Sequence, residues 1–169
     1  MAIIIKDRNV VTDPWQRLEP GAGGDLPGGD IIVPLALWRS QREALLARPG
    51  RIGVWLESNE DPSAIADDLR HFQVVAVNFP KLGDGRGFST GRLLRERYGW
   101  KGELRAVGDI FRDQLIYLVS CGFNSFALRD GEDPQEALSG FNVFSESYQA
   151  AVDRAPLFQR RPAGGTTKP

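Results

Sequence analysis

The chain holds one cysteine, one histidine and one methionine in 169 residues, and each scarcity excludes some chemistry. A lone Cys121 cannot close an internal disulfide or supply a multi-cysteine metal or iron–sulfur site. A lone His71 excludes histidine-rich metal centres. Also missing is a surplus of either charge: 21 Lys and Arg face 22 Asp and Glu, for a formal net charge of -1. Nucleic-acid-binding domains usually carry a basic surplus, so no nucleic acid is expected as a partner. No apolar run approaches the roughly 18–20 residues that span a bilayer. The apolar part of the opening "MAIIIKDRNVV" is too short for a secretory signal. These readings predict a cytoplasmic protein with no membrane partner. Cys121, late in a helical pattern beside Gly122, reads as a small buried thiol, and His71, at a helix end, as a C-terminal helix charge.

Glycine and proline are plentiful and punctuate the chain. Residues 1–19 read as two short strands about a turn at Asp7-Arg8-Asn9, and "PGAGGDLPGGD" as a mobile loop, so 1–30 form an N-terminal unit. Strand and helix patterns then alternate over 31–152. Apolar "IIVPLALW" precedes a helix over "RSQREALLARPG". "RIGVWL" precedes a helix started by Asp61 and Pro62, where proline's missing N–H costs nothing. "QVVAVNF" leads through a glycine loop, Gly83 to Gly87, into a helix ending at Gly99, with its N-cap at Ser89 or Thr90. "GELRAVGD" precedes "IFRDQLIYLVSCG", and "FNSFALRD" is the last strand. Asp133, Pro134 and Glu136 resemble a capping box. A further helix is expected over 141–152, and residues 153–169 read as a disordered tail. The alternation predicts an α/β fold with a mainly parallel sheet of βα units, either an open sheet or a partial TIM-like barrel. A partial barrel leaves sheet edges exposed and invites homo-oligomerisation.

Ligands of parallel α/β folds bind beyond the carboxyl ends of the strands. Glu57, Asp84, Asp109 and Asp130 follow four successive strands, a pattern that could hold Mg²⁺; each also has an ordinary reading as a cap or turn residue. In the glycine loop, Lys81 and Arg86 supply positive charge, Gly85 and Gly87 let backbone approach a ligand, and Ser89 caps the helix and donates to an anion. The loop lacks the Gly-Lys-Ser/Thr of a P-loop, and Phe88 stands where a dinucleotide fingerprint needs its third glycine. Arg92, Arg95 and Arg97 read as a solvated helix face. Trp15, Trp38, Trp55 and Trp100 read as core or interface packing.

The run Phe79 to Gly131, with "VWLESNEDP" upstream, resembles the signature region of the bacterial DUF934 family. The matching positions are Asp84, Gly85, Arg86 and Gly87 in the loop, Arg105, Gly108 and Asp109 about a strand end, Arg112, Asp113 and Gln114 at a helix start, and Cys121. Members are often labelled oxidoreductases and are commonly encoded beside a sulfite reductase. The resemblance therefore implies a place in assimilatory sulfur metabolism, with sulfite reductase as a partner. The redox label finds no carrier here, since the chain has one cysteine and no flavin or dinucleotide fingerprint. No cofactor is expected unless the carboxylates hold Mg²⁺. Three readings follow. The first is an accessory protein that binds a small anion, or the reductase, through Asp84–Ser89, with Asp109, Arg112 and Asp113 orienting the loop. The second is a Mg-dependent or redox-associated enzyme with its site at the strand ends. The third is a structural subunit that oligomerises through its arginines and tryptophans.

Overall fold

The computed structural model describes residues 2–22 and 24–142. Its strands are β1 (Ile3–Lys6), β2 (Asn9–Thr12), β3 (Gln16–Arg17), β4 (Ile31–Pro34), β5 (Ile52–Leu56), β6 (Val74–Phe79), β7 (Glu103–Gly108) and β8 (Ser125–Phe126). They form one sheet in the order β2-β1-β8-β7-β6-β5-β4-β3. The pairs from β3 through β8 are parallel, whereas β1 pairs antiparallel with β2 and with β8. The sheet is therefore mixed, which corrects the mainly parallel expectation. The reason is local: β1 and β2 are joined by the two residues Asp7 and Arg8, both at positive φ, and so short a connection permits only an antiparallel hairpin.

β2 and β3 lie at opposite edges of the sheet, yet only Asp13, Pro14 and Trp15 separate them in the chain. Eight flat strands would hold those edges about 34 Å apart at a spacing of about 4.8 Å. The chain from Thr12 to Gln16 reaches at most about 14 Å. The sheet must therefore curl until its edges nearly meet. The result is an open half-barrel, bridged across its gap by three residues and unpaired between β2 and β3. Of the two architectures expected, this is the partial barrel.

Alternation along the strands sorts side chains onto two faces. Val33, Val54, Leu56, Val75, Val77, Phe79, Leu104, Ala106 and Phe126 belong to the main core, where the helices pack. The helices are α1 (Leu35–Ala47), a 3-10 helix Pro62–His71, α2 (Arg86–Arg92) running on as a π-helical segment Leu93–Arg97, α3 (Leu115–Ser120) and α4 (Pro134–Ala137). At roughly 1.5–3 kcal/mol per fully buried aliphatic side chain, this face dominates stability. Ile32, Trp55, Val74, Ala76 and Val107 form a smaller cluster on the other face, with Trp15 and Ala127 against it. That face is the inside of the curl.

Several local expectations hold. Asp61 accepts from the Ser63 N–H at 2.8 Å, and Asp133 caps α4 by accepting from the Gln135 N–H at 2.8 Å, without the Glu136 half of a capping box among the described residues. Cys121 is fully buried in the core. Others change. α1 starts at Leu35, directly after Pro34, rather than at Arg39. α2 starts at Arg86, so Ser89 and Thr90 lie inside it and neither is its N-cap. Arg95 does not sit on a solvated face: its guanidinium donates to the carbonyls of Trp100, Gly102 and Gly122, and burial lowers its pKa. The expected helix over 141–152 lies outside the described residues from 143 onward, as does the tail 153–169. Among the described residues no helix is long and apolar enough to cross a membrane.

Candidate functional site

The carboxyl ends of β4 to β8 open onto one mouth of the curl. Its floor is ionic. Arg105, only 3% exposed, points inward from β7. It donates through Nε and Nη2 to Glu103 Oε1 at 3.0 and 2.7 Å, and through Nη1 to Asp13 Oδ2 at 2.8 Å. Lys6 Nζ lies 2.8 Å from Glu103 Oε2. Burial pushes the Glu103 carboxyl upward, but Arg105 and Lys6 outweigh that and hold it below its ordinary value. Charges are tolerated inside a protein only when paired in this way. The network also ties the three-residue bridge, through Asp13, to the middle of the sheet.

Above this floor lies a cavity of about 420 Å³. Asp13, Trp15, Arg17, Trp55, Arg105 and Arg129 supply its chemistry, and Ile32, Val107, Gly108, Ala127, Leu128 and Asp130 complete the lining. Its position is where (β/α) barrels place their ligands. The Arg17 guanidinium carbon lies 3.6 Å from the Trp55 ring centroid. Trp55 Nε1 donates to Glu57 Oε1 at 2.7 Å, and Asn78 Nδ2 to Glu57 Oε2 at 2.6 Å. Glu57 therefore orients Trp55. Reading strand ends in sequence missed Trp15, Arg17, Trp55 and Arg105 as a group, because strand alternation and the curl bring them together. A signal was available in "ELRAV": a charged residue alternating with apolar ones within a strand flanked by others.

The glycine loop is a self-contained staple. Asp84, on the turn before α2, is buried; its carboxylate accepts from Arg86 Nε at 2.9 Å, Arg86 Nη2 at 2.7 Å and Ser58 Oγ at 2.7 Å. The Arg86 backbone N–H also donates to it, at 3.2 Å. Gly87 and Gly91 bring α2 onto the sheet. A Cβ at Gly87 would stand 2.6 Å from the Phe79 ring, and one at Gly91 would strike Phe123. A Cβ at Gly85 would meet the Phe88 ring at 3.9 Å, an ordinary contact, and Lys81 and Ser89 are exposed. Hydrogen bonds from Arg86 and Ser58 hold the Asp84 carboxyl well below the usual carboxylate range. A depressed folded-state pKa contributes stability that is complete above about pH 4 and is lost as the pH falls toward the folded value. Asp84→Asn is therefore expected to destabilise the protein at pH 7 and to lose that penalty progressively below about pH 4. Urea unfolding of both proteins at a series of pH values reads this; a penalty constant down to about pH 2 would refute it.

The remaining predicted residues go to separate partners. Asp109 faces Arg129 at 3.5 Å, and its backbone N–H donates to the Phe79 carbonyl. The following helical turn starts instead at Phe111, whose N–H donates to Gln114 Oε1 at 3.2 Å. Arg112 and Asp113 are exposed and lie against each other at 3.6 Å, and Arg112 N–H faces Glu132. Neither hydrogen-bonds to the glycine loop among the described residues. Asp130 is exposed at the cavity rim. Glu57, Asp84, Asp109 and Asp130 do not converge: among the described residues, no three His, Cys, Asp or Glu side chains form a group that could hold a metal ion. His71, the last residue of the 3-10 helix, lies beside Arg42 and Trp38.

A family model described as a bacterial protein of unknown function, DUF934, matches residues 53–158. This span includes β5 from Gly53 on, β6 to β8, the glycine loop and most of the cavity lining. Comparison with curated proteins gives no match.

Proposed function

From the premise that the chain belongs to the DUF934 family of bacterial proteins, we propose that it is an accessory protein that docks on an acidic protein surface through Lys81 to Ser89. Sulfite reductase is the partner that the family resemblance implies. The observation that carries this reading is Leu82, 60% exposed on the turn between Lys81 and the clamped Arg86. An apolar side chain flanked by cations, one of them an arginine in fixed geometry, has the composition of an interface anchor. Asp84 favours a protein over a small anion at this loop. Its carboxylate already takes the Arg86 N–H and two guanidinium nitrogens, so a free oxyanion would compete with a tethered one. A protein surface can use Leu82 and Lys81 without displacing it.

The expected result is capture of the reductase by the immobilised protein, weakened by about 0.5 M salt because the steering charges are exposed. Changing Leu82→Asp together with Lys81→Glu should reduce capture at least about tenfold, the loss typical of an anchor worth more than 1.4 kcal/mol. The melting temperature should stay the same, since both side chains are exposed. Capture that is undiminished in this double variant would refute the docking surface.

A further inference from the structure

We propose that the mouth of the curled sheet is a second binding site, independent of the docking loop, for a small organic anion with a flat, apolar body. The first support is position. The cavity lies inside the curl at the carboxyl ends of the strands, where backbone and loop groups converge. Within it the sheet presents Trp55 and Ile32 from neighbouring strands, with Val107 beyond them and Trp15 from the bridge. Trp15, Ile32 and Val107 give an apolar wall, while the Arg17 guanidinium lies over the Trp55 ring, 3.6 Å from its centroid, and adds a flat cationic face.

The second support is charge. Arg105 is neutralised by Glu103 and Asp13, with Lys6 completing a balanced set of two cations and two anions. Its role in the cavity is to offer the guanidinium N–H groups left over from those bonds at a buried position. The lining cations outside that set are Arg17 and Arg129, whose carboxylate neighbours Glu19, Asp109 and Glu132 do not line the cavity. Arg17 lies 3.9 Å from exposed Glu19, and Arg129 lies 3.5 and 3.4 Å from Asp109 and Glu132. These separations exceed the 2.7–2.9 Å of a well-made charge-assisted hydrogen bond. Both side chains are nearly half exposed and line the cavity, one from β3 and one from the segment after β8. Among the described residues that line the cavity, Asp130 at the rim is the one carboxylate outside the balanced network.

The third support is size. A volume of about 420 Å³ falls within the roughly 300–1,000 Å³ of small-molecule pockets. An inorganic oxyanion fills little of it and leaves the tryptophan and aliphatic walls wet. Sites of this volume suit an organic molecule that buries apolar surface while a few polar groups fix its orientation. The lining therefore selects for both a flat apolar body and a negative charge.

The test uses three flat anions as probes: adenosine 5′-monophosphate, flavin mononucleotide and 1-anilinonaphthalene-8-sulfonate. Uncharged adenosine and inorganic sulfate are the controls. Calorimetric titration of the full chain should give a Kd below about 1 mM for at least one probe. For adenosine monophosphate, if it is the probe bound, adenosine and sulfate should each bind at least about tenfold more weakly. Two variants locate the site: Arg17→Gln with Arg129→Gln, which removes exposed charge, and Ala127→Leu, which fills part of the cavity. Each should weaken the bound probe at least about tenfold while thermal unfolding remains cooperative. If Ala127→Leu fails to fold, the arginine pair alone decides. Failure of all three probes would overturn the proposal, as would sulfate binding as tightly as the organic anions. So would binding undiminished by the arginine pair, which would place the probe elsewhere.

Discussion

Arg105→Ala is expected to destabilise the protein by roughly 3–5 kcal/mol, the usual cost of breaking a buried ion pair from one side. For a chain of this length that lowers the melting temperature by about 10 °C. The cause is the groups left behind more than the contact removed. Without the guanidinium, Glu103 keeps only Lys6, and Asp13 loses the cation that fixes the bridge between β2 and β3. The pH dependence identifies the mechanism. In the native protein Glu103 titrates below its ordinary value, so its contribution is complete above the unfolded value of about 4.3 and is lost as the pH falls below it. In Arg105→Ala the balance reverses, and burial is only partly offset by Lys6. Part of the destabilisation at pH 7 should therefore be recovered on mild acidification, as the stranded Glu103 carboxylate protonates. Urea titrations of both proteins between about pH 7 and 4 would show the two curves converging. A loss that is small, or unchanged with pH, would mean that the network does not hold the curl closed.

Gly108→Ala should be the most damaging single methyl group in the sheet, at roughly 2–4 kcal/mol. Gly108 ends β7 at φ 97°, in a region that L side chains avoid at a cost of about 1–2 kcal/mol. The conformation is only part of the penalty. A Cβ there would strike the Phe79 carbonyl oxygen and come within 2.5 Å of Asn78 Oδ1. The carbonyl is backbone and already accepts from the Asp109 N–H at 2.7 Å, so it cannot step aside. Asn78 in turn holds Glu57, which orients Trp55 in the cavity. Gly131→Ala separates the two terms, because Gly131 has φ 91° and a Cβ there would meet nothing within 4 Å. It should cost only the conformational part, about 1 kcal/mol. Equal losses in the two variants, measured by denaturant unfolding, would show that the crowding at Gly108 is relieved.

The loop "GDGRGF" shows how far local reading carries. Its wealth of glycine, aspartate and arginine marks it as unusual, and it is: Asp84 and Arg86 clasp each other with Ser58, while Gly87 admits the Phe79 ring. Sequence supplied the residue types, but not whether the arginine faces a ligand or its own neighbour. Ser58 is 26 residues from Asp84, and only the folded chain shows that it completes the clasp. Arg95 makes the same point. Its helical spacing suggests a solvated charge, yet the carbonyls of Trp100, Gly102 and Gly122 surround it. Aspartates before Pro62 and Pro134 were legible as caps because the hydrogen bond they make spans only two residues.

What the sequence determined alone was therefore what short-range chemistry decides: the succession of strands and helices, two N-caps, the hairpin turn at Asp7-Arg8, the burial of Cys121 and the family. The tertiary structure decided the mixed sheet order, its curl and the content of the cavity. The physical reason lies in the separations. Asp13 and Arg105 are 92 residues apart, and no periodicity or propensity couples positions at that distance. Their bond exists because three residues must join opposite sheet edges, which closes the curl and leaves a buried arginine that requires a carboxylate.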